Sequence, residues 1–242
     1  KQLLAVIEEI GDLKLILTSR SYAVNVITQK FGIKKELISL IEIPKLSDDE
    51  LKEIEIVFPQ LSSLFATKEI KEVMRSPKYL EFGLNAIHKD DFKSGSKVSL
   101  TDFKNKLWSQ IIENSTVVRN GLPRKRGKSF SHIATGRARS MQLFFEPNDD
   151  EIDFEAVEAL LNDNVIIKNQ NIYEFSPSHD ILEDWALIRH ISNIEKKLVN
   201  KDELFARLGN QPSMRRAFRL WVEELILSDI ETVVSLTKKT LD

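Results

Sequence analysis

A short β-hairpin pattern that runs directly into an amphipathic helix constrains this chain more than any other feature. Two apolar stretches, Val165–Lys168 and Ile172–Phe175, flank Asn169-Gln170-Asn171, a composition typical of a turn. The hairpin is followed closely by His179 and Asp180, which open a helical pattern that extends to about residue 198. The sequence therefore predicts a hairpin beside the helix that follows it.

Helical patterns also precede the hairpin. In the clearest of them, Phe103, Leu107 and Ile111 recur at the spacing of one helix face. The predicted elements are helices at 100–114, 128–141 and 153–162, a loop at 115–127 and a short strand at 142–145. The order of three helices, a two-stranded wing and a helix predicts a winged-helix domain over residues 96–198. Residues 199–242 then begin a further helical region.

The first 46 residues have the pattern of an α/β domain. Leu13–Thr18 and Leu37–Ile43 are short apolar runs with polar or proline ends, as expected for buried parallel strands. Ligands of open α/β sheets bind beyond the carboxyl ends of strands, and Thr18 and Arg20 occupy such a position. A hydroxyl and a guanidinium there suit a phosphate; the alternative is a surface arginine at a strand end. We expect residues 1–46 to be the C-terminal part of a nucleotide-binding α/β domain.

From residue 47 to 95 the chain changes to short helices, which we interpret as a helical lid. Ser47 and Glu50, three residues apart, form a capping box with Ser47 as the N-cap. Pro77 starts another helix, where its ring can pack flat on an adenine; the alternative is an ordinary proline in a first helical turn. The helices are predicted at 60–66, 68–75 and 77–88.

His179 and Asp180 lie where the wing ends and a helix begins. A helix N-terminus attracts anions because its amide groups and its dipole both point outward. His179 can add a hydrogen-bond donor, and Asp180 can cap the helix and orient the imidazole. The alternative is that Asp180 is an ordinary N-cap and His179 a partly buried spacer.

A basic run with no acidic residue covers positions 119 to 139. Clustered cations are what phosphate contacts require, so nucleic acid is a candidate partner. The adjacent acidic run at 149–155 and the scarcity of interleaved aromatic residues favour the alternative of a solvated loop. The candidate contacts are Arg119, Arg124, Lys125, Arg126 and Lys128.

Composition excludes several classes of protein. The 242 residues contain no cysteine, which excludes a disulfide framework, a thiolate zinc site and a cysteine nucleophile. No apolar run is long enough to span a membrane, and no signal-peptide pattern follows Lys1. The four histidines show no metal-ligand spacing. We expect a cytoplasmic protein without a metal site in this chain, and we interpret the start inside a helical pattern as that of a fragment.

Taken together, these motifs resemble the STAND class of P-loop NTPases, signal-transduction ATPases that include the NB-ARC and NACHT proteins of innate immunity and bacterial antiviral defence. The strand that ends at Arg20 resembles the sensor 1 strand, whose arginine faces the γ-phosphate in that family. Pro77 stands where the lid of the family contacts adenine. Ser178-His179-Asp180 resembles the Met-His-Asp motif, whose histidine contacts the β-phosphate of ADP, with serine in place of methionine. Asp184-Trp185-Ala186 resembles bacterial members.

The resemblance implies a mainly α chain: the remnant of an α/β P-loop NTPase domain, a helical lid, a winged helix with a β-hairpin wing, and C-terminal helices. It implies an ATP/ADP-controlled signalling switch that uses Mg²⁺, with Thr18, Arg20, Pro77 and His179 as nucleotide contacts. No phosphate-binding loop motif occurs in the sequence, so we expect no catalytic residue and no bound cofactor in this chain alone.

The implied partners are the N-terminal part of the same NTPase domain, a sensed protein ligand and, on activation, further copies of the protein. The alternatives are a winged-helix module that binds nucleic acid and a scaffold that makes protein contacts only. A phosphate-binding loop upstream of this chain would distinguish the NTPase from both alternatives.

Overall fold

The computed structural model describes residues 38–86, 98–116, 121–170, 172–198 and 203–238, together with isolated positions between residues 6 and 32. Lys1–Ser47 and Asp48–Asp242 form separate units. The described part of the second unit is mainly helical and contains a two-stranded antiparallel sheet. Among the helices that are described, none is both long enough and apolar enough to cross a membrane.

The strand predicted at Leu37–Ile43 does not form in residues 38–43, which have no regular secondary structure. Ile41 and Ile43 are exposed there, at 86% and 87% of their full accessible areas. A parallel strand of such apolar composition needs cover on both faces. The prediction of a strand is therefore wrong for residues 38–43. Their composition is apolar, but the side chains of Ile41 and Ile43 are exposed and not buried in a sheet.

Short helices form the first part of the second unit. They are α1 (Asp48–Val57), a 3-10 turn (Pro59–Leu61), α2 (Ser62–Phe65), α3 (Lys68–Met74) and α4 (Pro77–Ala86). α1 begins directly after Ser47, as the capping box predicts. The Asp48 carboxylate joins α1 to α3 by accepting hydrogen bonds from Lys71 at 2.6 Å and Arg75 at 2.8 Å, which lower its pKa. The short helices predicted within residues 60–86 are confirmed.

The next helix, α5 (Leu100–Leu107), continues without a break into a π-helical turn at Trp108–Ile112. Its N-cap is Ser99, whose hydroxyl accepts the N–H of Asp102 at 3.0 Å. Phe103 is fully buried on the inner face of α5. The helix predicted at 100–114 is therefore confirmed, although its last turn is wider than an α-helix.

The long helix α6 (Leu122–Ser140) begins earlier than the sequence predicts, inside the expected loop at 115–127. Gly121 precedes it with a φ of 74°, a left-handed conformation that glycine adopts without strain. Pro123 follows in the first turn, where the missing proline N–H would have no helical partner in any case. The Gly-Leu-Pro sequence therefore marks a helix start and not a loop.

After α6, helix α7 (Phe154–Asn162) leads into the strands β1 (Ile166–Lys168) and β2 (Phe175–Pro177). The two strands are antiparallel, with Lys168 opposite Phe175. β2 begins at the last residue of the predicted strand 172–175, because the connection after β1 is longer than the predicted three-residue turn.

The strand predicted at 142–145 is reduced to a single bridge between Phe145 and Phe175, which exchange two N–H···O bonds of 2.8 Å. Gly136 on α6 makes this arrangement possible, because a Cβ atom at that position would overlap the Phe145 ring. The bridge places the hairpin against α6.

The C-terminal part consists of α8 (Asp180–Lys197), α9 (Glu203–Leu208), α10 (Pro212–Ser228) and α11 (Ile230–Lys238). An apolar cluster joins α8 to α9 and α10. Its members are Ala138, Leu187, Ile191, Leu198, Leu204, Leu208, Met214, Ala217 and Trp221. α8 also packs against α6 and carries buried side chains between Leu182 and Ile191, so the C-terminal helices are arranged around it.

The N-cap of α7 provides a test of the fold. The Asp153 carboxylate accepts a hydrogen bond from Lys125 at 2.8 Å and the N–H of Ala156 at 3.0 Å, and both lower its pKa. We expect Asp153→Ala to reduce the free energy of unfolding by about 1 kcal/mol at neutral pH, since the cap is lost. Asp150→Ala in the preceding exposed turn is the matched control.

The effect of Asp153→Ala should depend on pH. Because the folded-state pKa of Asp153 is lowered, its ionised form stabilises the fold above the unfolded pKa of about 4, and this contribution is lost as the pH falls through the folded value. Urea denaturation at neutral and strongly acidic pH measures both differences. A loss of equal size at the two pH values would show that the carboxylate charge is not what stabilises α7.

Candidate functional site

The helices that begin at Pro77 and at Asp180 pack against each other. The Trp185 indole N–H on α8 donates to the Tyr79 hydroxyl on α4 at 3.1 Å. The Phe82 ring lies 5.4 Å from the Trp185 ring and meets the His179 ring edge-on at 6.3 Å. Burial raises the pKa of Tyr79 to about 12, so its hydroxyl stays protonated at neutral pH. Two segments that are 100 residues apart in the sequence thus form one aromatic contact.

A cleft of about 600 Å³ opens beside this aromatic contact. Its floor is apolar and consists of buried side chains of α4, the hairpin and α8, namely Phe82, Ala86, Val165 and Leu182. Its rim is polar and carries carboxamide and hydroxyl groups, namely those of Asn85, Gln110, Asn114, Thr116, Asn164 and Ser178. This volume lies within the range of small-molecule sites, but the lining has more polar than apolar residues and the cleft is open to solvent.

The charged groups at the cleft are already paired within the chain. Lys78 donates to Glu81 at 2.8 Å and lies 4.8 Å from the centre of the Phe82 ring. Asp163 forms an ion pair with Arg126 at 2.8 Å and accepts a hydrogen bond from Asn114. A cleft whose charges are compensated suits a neutral polar group, such as a nucleobase or a sugar, better than an unshielded phosphate.

His179, and not Asp180, is the N-cap of α8. Its backbone is extended, with φ of −150° and ψ of 143°, and its Nδ1 atom accepts the N–H of Ile181 at 3.1 Å. Asp180 is the first residue of the helix itself. The prediction that Asp180 caps the helix is therefore wrong, because imidazole Nδ1 reaches the amide that an Asp or Asn oxygen at the N-cap normally takes.

The cap determines where the His179 proton lies. Since Nδ1 accepts a hydrogen bond, the neutral ring carries its proton on Nε2. Protonation of Nδ1 would place two donors against each other and would break the cap. His179 is partly buried at the start of α8.

The predicted contacts Pro77 and His179 do not line the cleft themselves, but each has a sequence neighbour that does. Pro77 is exposed as the first residue of α4, and its neighbour Lys78 lines the cleft. Ser178, the neighbour of His179, also lines the cleft. The roles of Pro77 and His179 as nucleotide contacts stay predictions.

The other predicted contacts lie outside the described residues, namely Thr18 and Arg20 together with Arg119 of the basic run. Within Leu13–Thr18, the structure describes Ile16 and Leu17, and neither belongs to a strand. Those predictions stay predictions.

Two cations of the basic run on α6 form contacts within the fold. Arg126 is 2% exposed and donates to the carbonyl of Ile112 at 2.8 Å, so it satisfies a carbonyl of the π-helical turn. Lys125 is paired with Asp153, which raises the Lys125 pKa. Arg124 and Lys128 are exposed on α6. The side chain of Arg126 is therefore not on a surface that a nucleic acid could reach.

Sequence reasoning missed a buried ion-pair network on the second turn of α8. Glu183 accepts hydrogen bonds from Arg137 at 2.7 Å and from Arg216 at 3.1 Å, and Asp184 accepts one from Arg216 at 2.7 Å. The available signal was local: two adjacent acidic residues stand within an otherwise apolar stretch from Ile181 to Ile188. The partners come from other helices, so no spacing in the sequence reveals them.

Comparison with known proteins provides no family for this chain. No protein-family model matches it, and no curated protein is significantly similar to it. Among the residues that the structure describes, no group of three or more His, Cys, Asp or Glu side chains is placed to hold a metal ion. The features of this chain that bear on its function are therefore the cleft, the His179 cap and the contact between α4 and α8.

The role of His179 as a cap can be tested by substitution. We expect His179→Ala to reduce the free energy of unfolding by about 1 kcal/mol, because the Ile181 amide loses its acceptor. His179→Asn should restore most of this loss, because an asparagine oxygen can take the place of Nδ1. Urea denaturation of the two variants measures the difference. If His179→Ala and His179→Asn destabilise the chain equally, His179 contributes to stability through aromatic packing on Phe82 and not through capping.

Proposed function

We propose that this chain carries the helical lid and the winged helix of an ATP/ADP-controlled signalling switch, a STAND-like NTPase of defence or regulation. The observation that carries the proposal is the packing of α4 against α8. It brings the Phe82 ring of α4, the helix that begins at Pro77, against the His179 ring, and it joins Trp185 to Tyr79 beside one polar cleft. In the resting state of such a switch, a lid and a winged helix close together over a nucleotide.

The order of elements supports the winged helix. Helices α5, α6 and α7 come first, the hairpin of β1 and β2 follows, and α8 closes the series. The Phe145–Phe175 bridge adds a third chain segment to the hairpin and attaches it to α6. This order matches the arrangement that the sequence predicts for residues 96–198.

The described residues fit part of an adenine nucleotide. The uncharged polar rim and apolar floor of the cleft suit a base and ribose, and the Nε2–H of His179 can donate to a phosphate oxygen. One neutral donor cannot hold a diphosphate, and Lys78 is already paired with Glu81. The phosphate-binding loop and the Mg²⁺ ligands therefore belong, in this proposal, to the N-terminal part of the same NTPase domain.

The proposed switch works by differential contact. A nucleotide that accepts a hydrogen bond from His179 stabilises the arrangement in which α8 lies against α4, by about 1–3 kcal/mol for a bond to a charged group. When the nucleotide changes or leaves, this contribution is lost and α8 can separate from α4. The sensed partner and the assembly of further copies would act on that open state.

Nucleic-acid binding through α6 has less support. Arg126 is buried and Lys125 is paired with Asp153, so two of the five candidate cations serve the fold. Arg124 and Lys128 are exposed on one helix, which suits weak, salt-sensitive contact with phosphates more than recognition of a sequence.

His179→Asn separates the sensing role from the capping role. In the intact protein loaded with a fluorescent ADP analogue, we expect this variant to release the analogue about tenfold faster than wild type, because Asn keeps the cap but places no imidazole N–H at the phosphate. Stopped-flow displacement by unlabelled ADP measures the rate. His190→Asn, farther along α8 where the ring contacts Arg139, is the matched control.

Two outcomes would contradict the proposed function. The first is an intact protein that retains no ADP analogue although it is folded. The second is an unchanged release rate in His179→Asn together with normal stability, which would show that the ring does not contact the nucleotide. Equal acceleration in His190→Asn would point to general loosening of α8.

A further inference from the structure

Two adjacent carboxylates on α8 are buried between two arginines from different helices. Glu183 is 1% exposed and Asp184 is 8% exposed. Arg137 of α6 donates to Glu183, and Arg216 of α10 donates to both carboxylates, at distances from 2.7 to 3.1 Å. We call these four side chains the charge clasp. It is the point at which α6, α8 and α10 are joined by charge.

The same turn of α8 also faces the lid. Trp185 follows Asp184 directly and donates to Tyr79 of α4, while Leu182 precedes Glu183 and forms part of the cleft floor. Four consecutive residues of α8 therefore contact the cleft, α4, α6 and α10. A helix turn is rigid, so that these contacts cannot move independently.

The charge clasp is not expected to add much to the stability of the fold. Burial raises the pKa of the Glu183 carboxyl, and Arg137 and Arg216 oppose the rise only in part, while Asp180 and Asp184 add to it. Burying charges costs solvation free energy that close pairing barely recovers, whereas removing one partner leaves an uncompensated charge and is strongly unfavourable. Such a network contributes little net stability but specifies one relative position of its helices.

We propose that the charge clasp couples the lid contact of α8 to the C-terminal helix α10. When Trp185 leaves Tyr79, the turn that holds Glu183 and Asp184 moves with it, and Arg216 can no longer bridge the two carboxylates. The apolar cluster around Trp221 keeps α10 attached, so that α10 changes its angle to α8 without detaching. The regulatory meaning of this coupling rests on the proposed function, but the coupling itself needs no nucleotide.

The coupling can be measured on the chain in the absence of nucleotide by hydrogen exchange and mass spectrometry. Arg216 forms its hydrogen bonds with α8 and not with α4. We nevertheless expect Arg216→Met to raise amide exchange in α4, around Tyr79 to Phe82, by about tenfold. Arg215→Met is the matched control, since the neighbouring Arg215 donates to Asn210 and takes no part in the clasp.

A second variant tests the coupling if Arg216→Met does not fold. Glu183→Gln keeps the side-chain shape and one acceptor oxygen, but it removes the charge and places an amide donor against one of the two arginines. We expect this variant to fold, with exchange in α4 severalfold above that of the Arg215→Met control. Increased exchange confined to α10, or equal increases in all helices, in the variant that folds would overturn the coupling. Because no nucleotide is present, a negative result here is distinct from failure of the ADP experiment.

Discussion

Two carboxylates, those of Glu183 and Asp184, are buried near the start of α8, and the rest of the fold must supply cations to pair with them. Glu183 and Asp184 can be buried at tolerable cost only if cations reach them, and Arg137 and Arg216 do so from α6 and α10. These pairings fix the rotation of α8 about its axis. With that rotation fixed, Trp185 points at Tyr79 of α4. Apolar burial holds the helices together, but the ion pairs determine how they are arranged.

This arrangement explains why the candidate site is neutral. The cations and anions at the cleft are compensated by each other, as in the Lys78–Glu81 and Arg126–Asp163 pairs. The His179 ring uses its Nδ1 lone pair for the helix cap, so a neutral form of the ring carries its proton on Nε2. A site of this kind can monitor a ligand that is held mainly by another part of a protein, because it adds one directional bond and little charge. That is the role proposed for a lid and winged helix above a nucleotide.

Local sequence signals predicted most helix positions and the hairpin. Ser47 and Pro77 mark helix starts correctly, since capping and proline geometry depend on neighbouring residues only. The predictions were wrong where the secondary structure depends on contacts between residues far apart in the sequence. Residues 38–43 have the apolar composition of a strand without burial. β2 begins late because the length of a hairpin connection is not encoded by its turn residues alone.

The candidate site was predictable only where it depends on local sequence signals. His179 was identified from its place before a helix, but its capping role through Nδ1 depends on a side-chain orientation that no spacing reveals. Arg126 belongs to a basic run in the sequence, but in the fold its side chain is buried and pairs with the partly exposed Asp163. The partners of Glu183 lie 46 and 33 residues away along the chain, so the charge clasp could be found only from the fold.

The central claim is that the His179 imidazole caps α8 through Nδ1 and offers Nε2–H to a bound nucleotide. Nitrogen-15 NMR of the histidine side chains in the intact protein tests both parts directly. We expect the proton on Nε2 in the absence of nucleotide, and a shift of the Nε2 resonance, with Nδ1 nearly unchanged, when ADP is added. A proton on Nδ1, or an Nε2 resonance that does not respond to saturating ADP, would contradict the account.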